Sequence, residues 1–290
     1  TFKYEEIETK DPQSGEIQLK TLYISVDPYM RGRMSQGDSY VQPFEVGQPI
    51  ISHIVAQVTT SEADGFQEGD IVTGMLPWKK YNTVTSDKVN VVPSTEVPLE
   101  LYLSVLGMPG QTAYHGLLDI GRPQEGETVV SAASGAVGSV VGQIAKIKGC
   151  RVVGIAGGPD KVNYLTDTLG FDAGIDYKDE YFAENLAQAL PDGVDVYYEN
   201  VGGAIADEVF KHLNRFARVP VCGAISSYNH PEDDIGPRIQ GTLVKKQAMM
   251  RGFLVAEFAN DFKNASEALA EWVREDKIKT QTTVAKGFDK

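Results

Sequence analysis

Cysteine is scarce in this chain: two thiols, Cys150 and Cys222, stand among 290 residues. That excludes a disulfide framework and suits a reducing compartment, so a cytoplasmic location is expected. Histidine is scarce as well. The four (His53, His115, His212 and His230) are scattered, and neither HExxH nor CxxC spacing occurs. A zinc site is therefore not expected, structural or catalytic. No apolar run approaches the ~18 residues of a membrane span, and the opening TFKYEEIETK carries charge where a secretory signal would be apolar. Positive charge is in deficit: 27 Lys and Arg against 40 Asp and Glu leave a net charge of −13. That argues against a nucleic-acid surface or an anionic membrane as partner. A phosphorylated cofactor needs only a few local cations and backbone N–H groups, and stays open.

What is present is a soluble globular composition, 42% hydrophobic and 23% charged, in a length that fits two domains. The first hundred residues read as β-rich. IQLKTLYISV alternates, and HIVAQVTT and DIVTGM read as further strands between Gly, Asp and Pro turns. The texture changes after about Pro98. LELYLSVLGM is helix-like, and from Thr128 strands and helices alternate. Strand TVVSA precedes a helix at 136–148 closed by Gly149; RVVGIA precedes a helix opened by Pro159. AGIDY, VDVYYE, RVPVCGAI and MRGFLVA follow as strands, and DFKNASEALAEWVRED as the last helix. SSYNHPEDDIGPRIQG reads as a polar loop or lid before the last strand. Repeated βα units predict an α/β fold with a doubly wound parallel sheet.

The stretch SAASGAVGSVVGQIAKIKG has the rhythm of a phosphate-binding turn, with Gly135 and Gly138 in the second and third glycine positions and Ala133 in place of the first. Between a strand and a helix, such a turn lets backbone approach a pyrophosphate and aims free N–H groups at it. The second strand then ends in GIAGGPDK, without the carboxylate that would bind a ribose diol. Lys161, with a hydroxyl from Tyr177, fits a phosphate there, so NADP(H) is the expected cofactor.

SVDPYMRGRM, LGMPGQTAYHGL, the glycine turn, YYENVGG and the CGAIS segment together resemble the medium-chain dehydrogenase/reductase superfamily, in its zinc-free branch of prostaglandin/2-alkenal reductases. The resemblance covers nearly the whole chain. It implies a GroES-like catalytic domain at 1–103 with a return segment at 279–290, and a Rossmann domain at 104–278. It implies NADPH-dependent reduction of the C=C bond of α,β-unsaturated aldehydes and ketones, small molecules, by a homodimer. Cofactor contacts carry over to Ala136, Val137, Gly138, Ser139, Lys161, Tyr177, Asn200, Cys222, Gly223, Ala224, Ile225, Ser226, Tyr228, Phe253, Leu254 and Val255. Where zinc-dependent relatives hold their metal, this chain has Ser25-Val26-Asp27-Pro28 and GQPIIS, which offer no thiolate or imidazole.

The substrate side departs from the pattern. Tyr29 matches, but family tyrosines are replaced by His53 and by Lys245, the latter expected near the start of the last strand. These three are the candidate groups for the substrate carbonyl. Family members continue beyond the point matching Lys290, so the resemblance implies a longer natural chain. Quinone reduction with the same cofactor, or NADPH binding without turnover, are the alternative activities.

Overall fold

The computed structural model describes residues 2–35, 41–132, 134–229 and 235–287. Contacts divide the chain into two compact units, Thr1–Leu103 and Ser104–Lys290.

The first unit is built on an antiparallel sheet. Its elements are β1 (Glu16–Ile24), the short helix α1 (Met30–Arg33), β2 (Ile51–Ser61), β3 (Ile71–Pro77), β4 (Tyr81–Thr85) and β5 (Val89–Val91). The strands lie in the order β4-β1-β2-β3-β5. Alternation sends Ile17 and Leu19 of β1 and Ile54, Ala56 and Val58 of β2 to one face, where Val72, Leu76 and Val89 close the core. LELYLSVLGM, helix-like in sequence, forms only a 3₁₀ turn at Leu99–Leu103.

The second unit opens with α2 (Met108–His115), which widens into a π-turn at Gly116–Gly121. β6 (Thr128–Ala132), α3 (Gly138–Ile147), β7 (Arg151–Ala156), α4 (Pro159–Asn163) and β8 (Ala173–Asp176) follow. Then come α5 (Phe182–Ala189), β9 (Val194–Tyr198), α6 (Gly203–Val209), β10 (Leu213–Val221), α7 (Gln240–Lys246), β11 (Met249–Gly252) and α8 (Phe262–Arg274). All six strands are parallel, in the order β8-β7-β6-β9-β10-β11. The chain starts in the middle, winds outward through β7 and β8, then crosses back to β9. The gap between β6 and β9 is thus the switch point where α/β sheets bind ligands.

α3 shows why the sequence folds this way. Val140, Val141 and Ile144 are buried against the sheet, each worth roughly 1.5–3 kcal/mol. Gly149 ends the helix at φ +78°, as a C′ glycine does. One element was misread from sequence. α7 starts at the last two residues of the polar stretch and runs on through Lys246, because Leu243 and the two lysines favour a helix once the Gly236-Pro237 turn is past. Ala133, His230 and the 230–234 part of that stretch lie outside the described residues. No helix among the described residues is long and apolar enough to cross a membrane.

Candidate functional site

Parallel strands place every strand end on one rim, and the expected cofactor residues collect there. Ala136 and Val137 turn the chain out of β6, and Gly138 and Ser139 open α3. No side chain caps α3; Ser139 N–H donates to the Gly135 carbonyl (3.0 Å), and the end of the helix that favours an anion is at this turn. Open space stands where a Cβ on Gly135 would be. At the tip of β7, the Tyr177 ring lies 2.8 Å from the position of a Gly157 Cβ, so glycine is required there for the ring to close over the strand end. Lys161 is exposed on α4, and Tyr177 is half-exposed after β8.

One carboxylate does stand near that tip. Asp176 accepts hydrogen bonds from the backbone N–H of Gly158 (3.0 Å) and of Lys178 (2.9 Å). Those bonds hold its carboxyl below the usual carboxylate range. Its oxygen is engaged with the turn, so the absence of a carboxylate on β7 itself still leaves this corner open to a phosphate.

The rim continues through Asn200 after β9 and the loop Cys222–Tyr228 after β10. The carbonyl of Asn200 accepts from Ile225 N–H (3.1 Å), and that of Val201 accepts from Ser226 N–H (2.9 Å) and Oγ (2.6 Å). The Tyr228 hydroxyl accepts from Ala224 N–H at 3.4 Å and sits 2.7 Å from where a Gly223 Cβ would be. Phe253, Leu254 and Val255 follow β11, and Phe253 stands edge-on to Tyr198. Burial pushes the thiols of Cys222 and Cys150 up to about 11; Cys222 is a wall residue, not an activated nucleophile. Sequence reading missed Glu199, buried under this rim. The signal was visible: an acidic residue closing the apolar strand VDVYYE, just before Asn-Val-Gly-Gly.

Lys245 does not join the rim. It lies in the last turn of α7, exposed, ahead of the N-terminal end of β11, not on a strand edge as expected from sequence.

In the first unit, the segment after β1 folds onto the start of β2. Ser25 N–H donates to the His53 carbonyl (2.9 Å), Ser52 Oγ to the Ser25 carbonyl (2.8 Å), and Trp78 Nε1 to Ser52 Oγ (2.8 Å). Ser25 Oγ donates to Asp27 Oδ2 at 2.6 Å. Asp27, also missed from sequence, is the charged group that acts on His53. Burial raises its carboxyl against the pull of Ser25 and His53. Burial lowers His53 in spite of Asp27, so the ring is neutral at pH 7. Nδ1 of His53 is buried with no hydrogen-bond partner. An orphaned N–H costs more than an orphaned lone pair, which places the proton on Nε2. Tyr29 caps α1 from the same segment, half-buried. Among the described residues, no group of three or more His, Cys, Asp or Glu is placed to hold a metal.

Comparison with known proteins bears on the family and the fold. Residues 1–92 match a family model described as the N-terminal domain of oxidoreductase, and residues 136–271 one described as zinc-binding dehydrogenase. The chain is 49% identical to a putative NADP-dependent oxidoreductase, YfmJ, of Bacillus subtilis, over 99% of this chain and 86% of that one. It is 44% identical to the NADPH-dependent curcumin reductase of Escherichia coli (99% and 85%) and 41% to the 2-alkenal reductase (NADP(+)-dependent) of Nicotiana tabacum (98% and 84%). The crystal structure of CurA from Vibrio vulnificus in complex with NADPH superposes with a TM-score of 0.90 at 41% identity, covering 96% of this chain and 84% of that one. A glycine turn at a switch point, a buried polar corner without thiolates, and relatives of this identity across nearly its full length lead to one assignment: the chain belongs to the medium-chain dehydrogenase/reductase superfamily, in the branch of the curcumin, 2-alkenal and prostaglandin reductases.

Proposed function

We propose that this chain reduces the C=C bond of α,β-unsaturated aldehydes and ketones with NADPH and without a metal. As a member of its branch it is an NADP-dependent oxidoreductase acting on carbon–carbon double bonds. The observation that carries the reading is the rim: an uncapped helix N-terminus, a glycine cradle, and a phosphate corner with Lys161 and Tyr177 all stand at one end of the parallel sheet.

The residues fit the cofactor. Ala136–Ser139 would take the diphosphate, Lys161 and Tyr177 the phosphate on the adenosine ribose. Asn200, Cys222–Ser226, Tyr228 and Phe253–Val255 would hold the remainder. When bound, NADPH supplies a hydride for the β-carbon. Negative charge then grows on the substrate carbonyl oxygen and needs donors that are already oriented. The Tyr29 hydroxyl and the Nε2–H of a neutral His53 are the donors this chain offers; solvent protonates the α-carbon. Lys245, on α7, takes no part. Residues 1–103 act as the catalytic domain, 104–278 as the dinucleotide-binding domain, and 279–290 as a return segment.

A homodimer is the further part of the reading. β11 lies at the end of the sheet order and all four of its residues are exposed, Met249 and Met250 among them. An apolar edge strand is a template for pairing with a second copy. Two free cysteines suit a cytoplasmic location.

The test is NADPH oxidation with a medium-chain enal, run beside NADH, a simple quinone and a chelator. Enal turnover with NADPH that ignores the chelator is expected. Turnover of the quinone alone would replace the reading, and NADPH binding without turnover would remove catalysis.

A further inference from the structure

Glu199 is 3% exposed, yet carries a carboxylate. Oε1 accepts from the backbone N–H of Val201 (2.6 Å) and of Gly202 (2.9 Å). The buried Tyr197 hydroxyl, two residues back on the same strand, faces the carboxyl and interacts with it. The Glu199 backbone is engaged as well: its N–H donates to the Pro220 carbonyl (2.9 Å), and its carbonyl accepts from Cys222 (2.8 Å) and Gly223 (3.3 Å). Asn200 and Val201 in turn hold Ile225 and Ser226. Gly202 and Gly203 turn at φ +73° and +59°, and a Cβ on either would stand 3.2 Å from Ala224 or 3.1 Å from Ser226. One carboxylate thus pins the turn from which the 222–228 loop is hung. Burial raises the Glu199 carboxyl above its ordinary value while the bonds from Gly202 and Val201 pull it back down, and a buried polar group is costly unless it is bonded in this way.

We propose that Glu199 is the positioning residue of the cofactor rim: by reaching two backbone N–H groups at once it sets Asn200 and the 222–228 loop for the dinucleotide. The proposal rests on the reading of the rim as the NADPH site. Reach is the operative property, because both bonds go to one oxygen at a fixed span. The titratable groups that face Glu199 are Tyr197, on its own strand, and Cys222, at the end of β10; Asp207 of α6 acts on Tyr197.

The experiment measures the Kd for NADPH by nucleotide fluorescence on the full chain. Glu199→Ala raises it about tenfold or more, because the N–H groups of Val201 and Gly202 both lose their acceptor. Glu199→Gln, which keeps an oxygen at the same reach, stays within about threefold of the parent. Val153→Ala, a truncation in the core of the same sheet, lowers the Tm and leaves the Kd unchanged. Should the alanine variant fail to fold, the order of two others decides. Glu199→Asp keeps the charge but falls short, and binds NADPH more weakly than Glu199→Gln. The reverse order, a parent-like Kd for Glu199→Ala, or an equal loss in Val153→Ala overturns the proposal. Failure of the parent chain to bind NADPH would bring down the reading of the rim instead.

Discussion

The rim of the parallel sheet and the Ser25–His53 corner of the antiparallel sheet are made from different materials. At the rim, backbone groups do most of the shaping. Asp176 and Glu199 each direct their charge at two peptide N–H groups, and the 222–228 loop hangs from carbonyls of the neighbouring turn. In the corner, side chains bond to side chains: Ser25 to Asp27, Trp78 to Ser52, with Asp27 acting on His53. A backbone-built site keeps its form through many side-chain changes and suits a ligand that never varies. A corner of buried side chains can be retuned by one substitution, and suits a substrate that differs between relatives. The difference teaches where this chain is free to diverge.

The comparison is broken most easily at Lys161, exposed on α4. On the proposed phosphate contact, Lys161→Ala would remove a charge-assisted bond worth about 1.5–3 kcal/mol, so KM for NADPH is expected to rise roughly ten- to a hundredfold while KM for NADH stays level. Equal losses for both cofactors would show that the rim does not distinguish them by the ribose phosphate.

A packing change should cost less. A Cβ on Gly116 would lie 2.5 Å from both the Phe253 ring and the Tyr198 hydroxyl. Gly116→Ala is therefore expected to cost about 1–3 kcal/mol by overpacking, read as a lower Tm, and to weaken NADPH binding because Phe253 must move. Full binding with a lower Tm would show that the rim is independent of the packing beneath it.

The corner answers to pH. His53 lies below its ordinary 6.5, so the unfolded chain takes up its proton first. The corner loses stability as pH falls from 6.5 towards the folded-state value of His53. Asp27 is raised above 3.8, with the opposite sign: its contribution is complete below 3.8 and is lost as pH rises through its folded-state value. Asp27→Asn removes the charge that props up His53, and its imidazole titration by NMR moves to lower pH still. An unmoved or upward-moved titration would dissolve the pair.

The same contrast explains what was legible in the sequence. The doubly wound parallel sheet and the glycine turn between its first strand and helix could be read because backbone geometry leaves marks in spacing: Gly135 and Gly138, and the alternation of β and α. Asp27, Asp176 and Glu199 escaped because an acidic letter does not say whether its oxygens meet water or a peptide N–H folded back onto them. The helix α7 escaped because seven residues after a polar, Gly- and Pro-marked stretch carry too short a pattern to outweigh it. Lys245 was misplaced with it, since a resemblance to a strand-start position says nothing about a helix standing there.

The two thiols have a consequence for survival at work. An α,β-unsaturated aldehyde is an electrophile that alkylates cysteine thiolates, so an enzyme with the proposed substrates courts its own covalent inactivation. Here burial pushes both thiols up to about 11, which disfavours the reactive thiolate at pH 7. Prolonged incubation with a reactive enal should leave the intact mass unchanged and the activity undiminished. A stoichiometric adduct on Cys222 would mean that the wall of the rim opens far more than its burial implies. The scarcity of cysteine with which the sequence began would, on the proposed function, be chemical armour against the substrate.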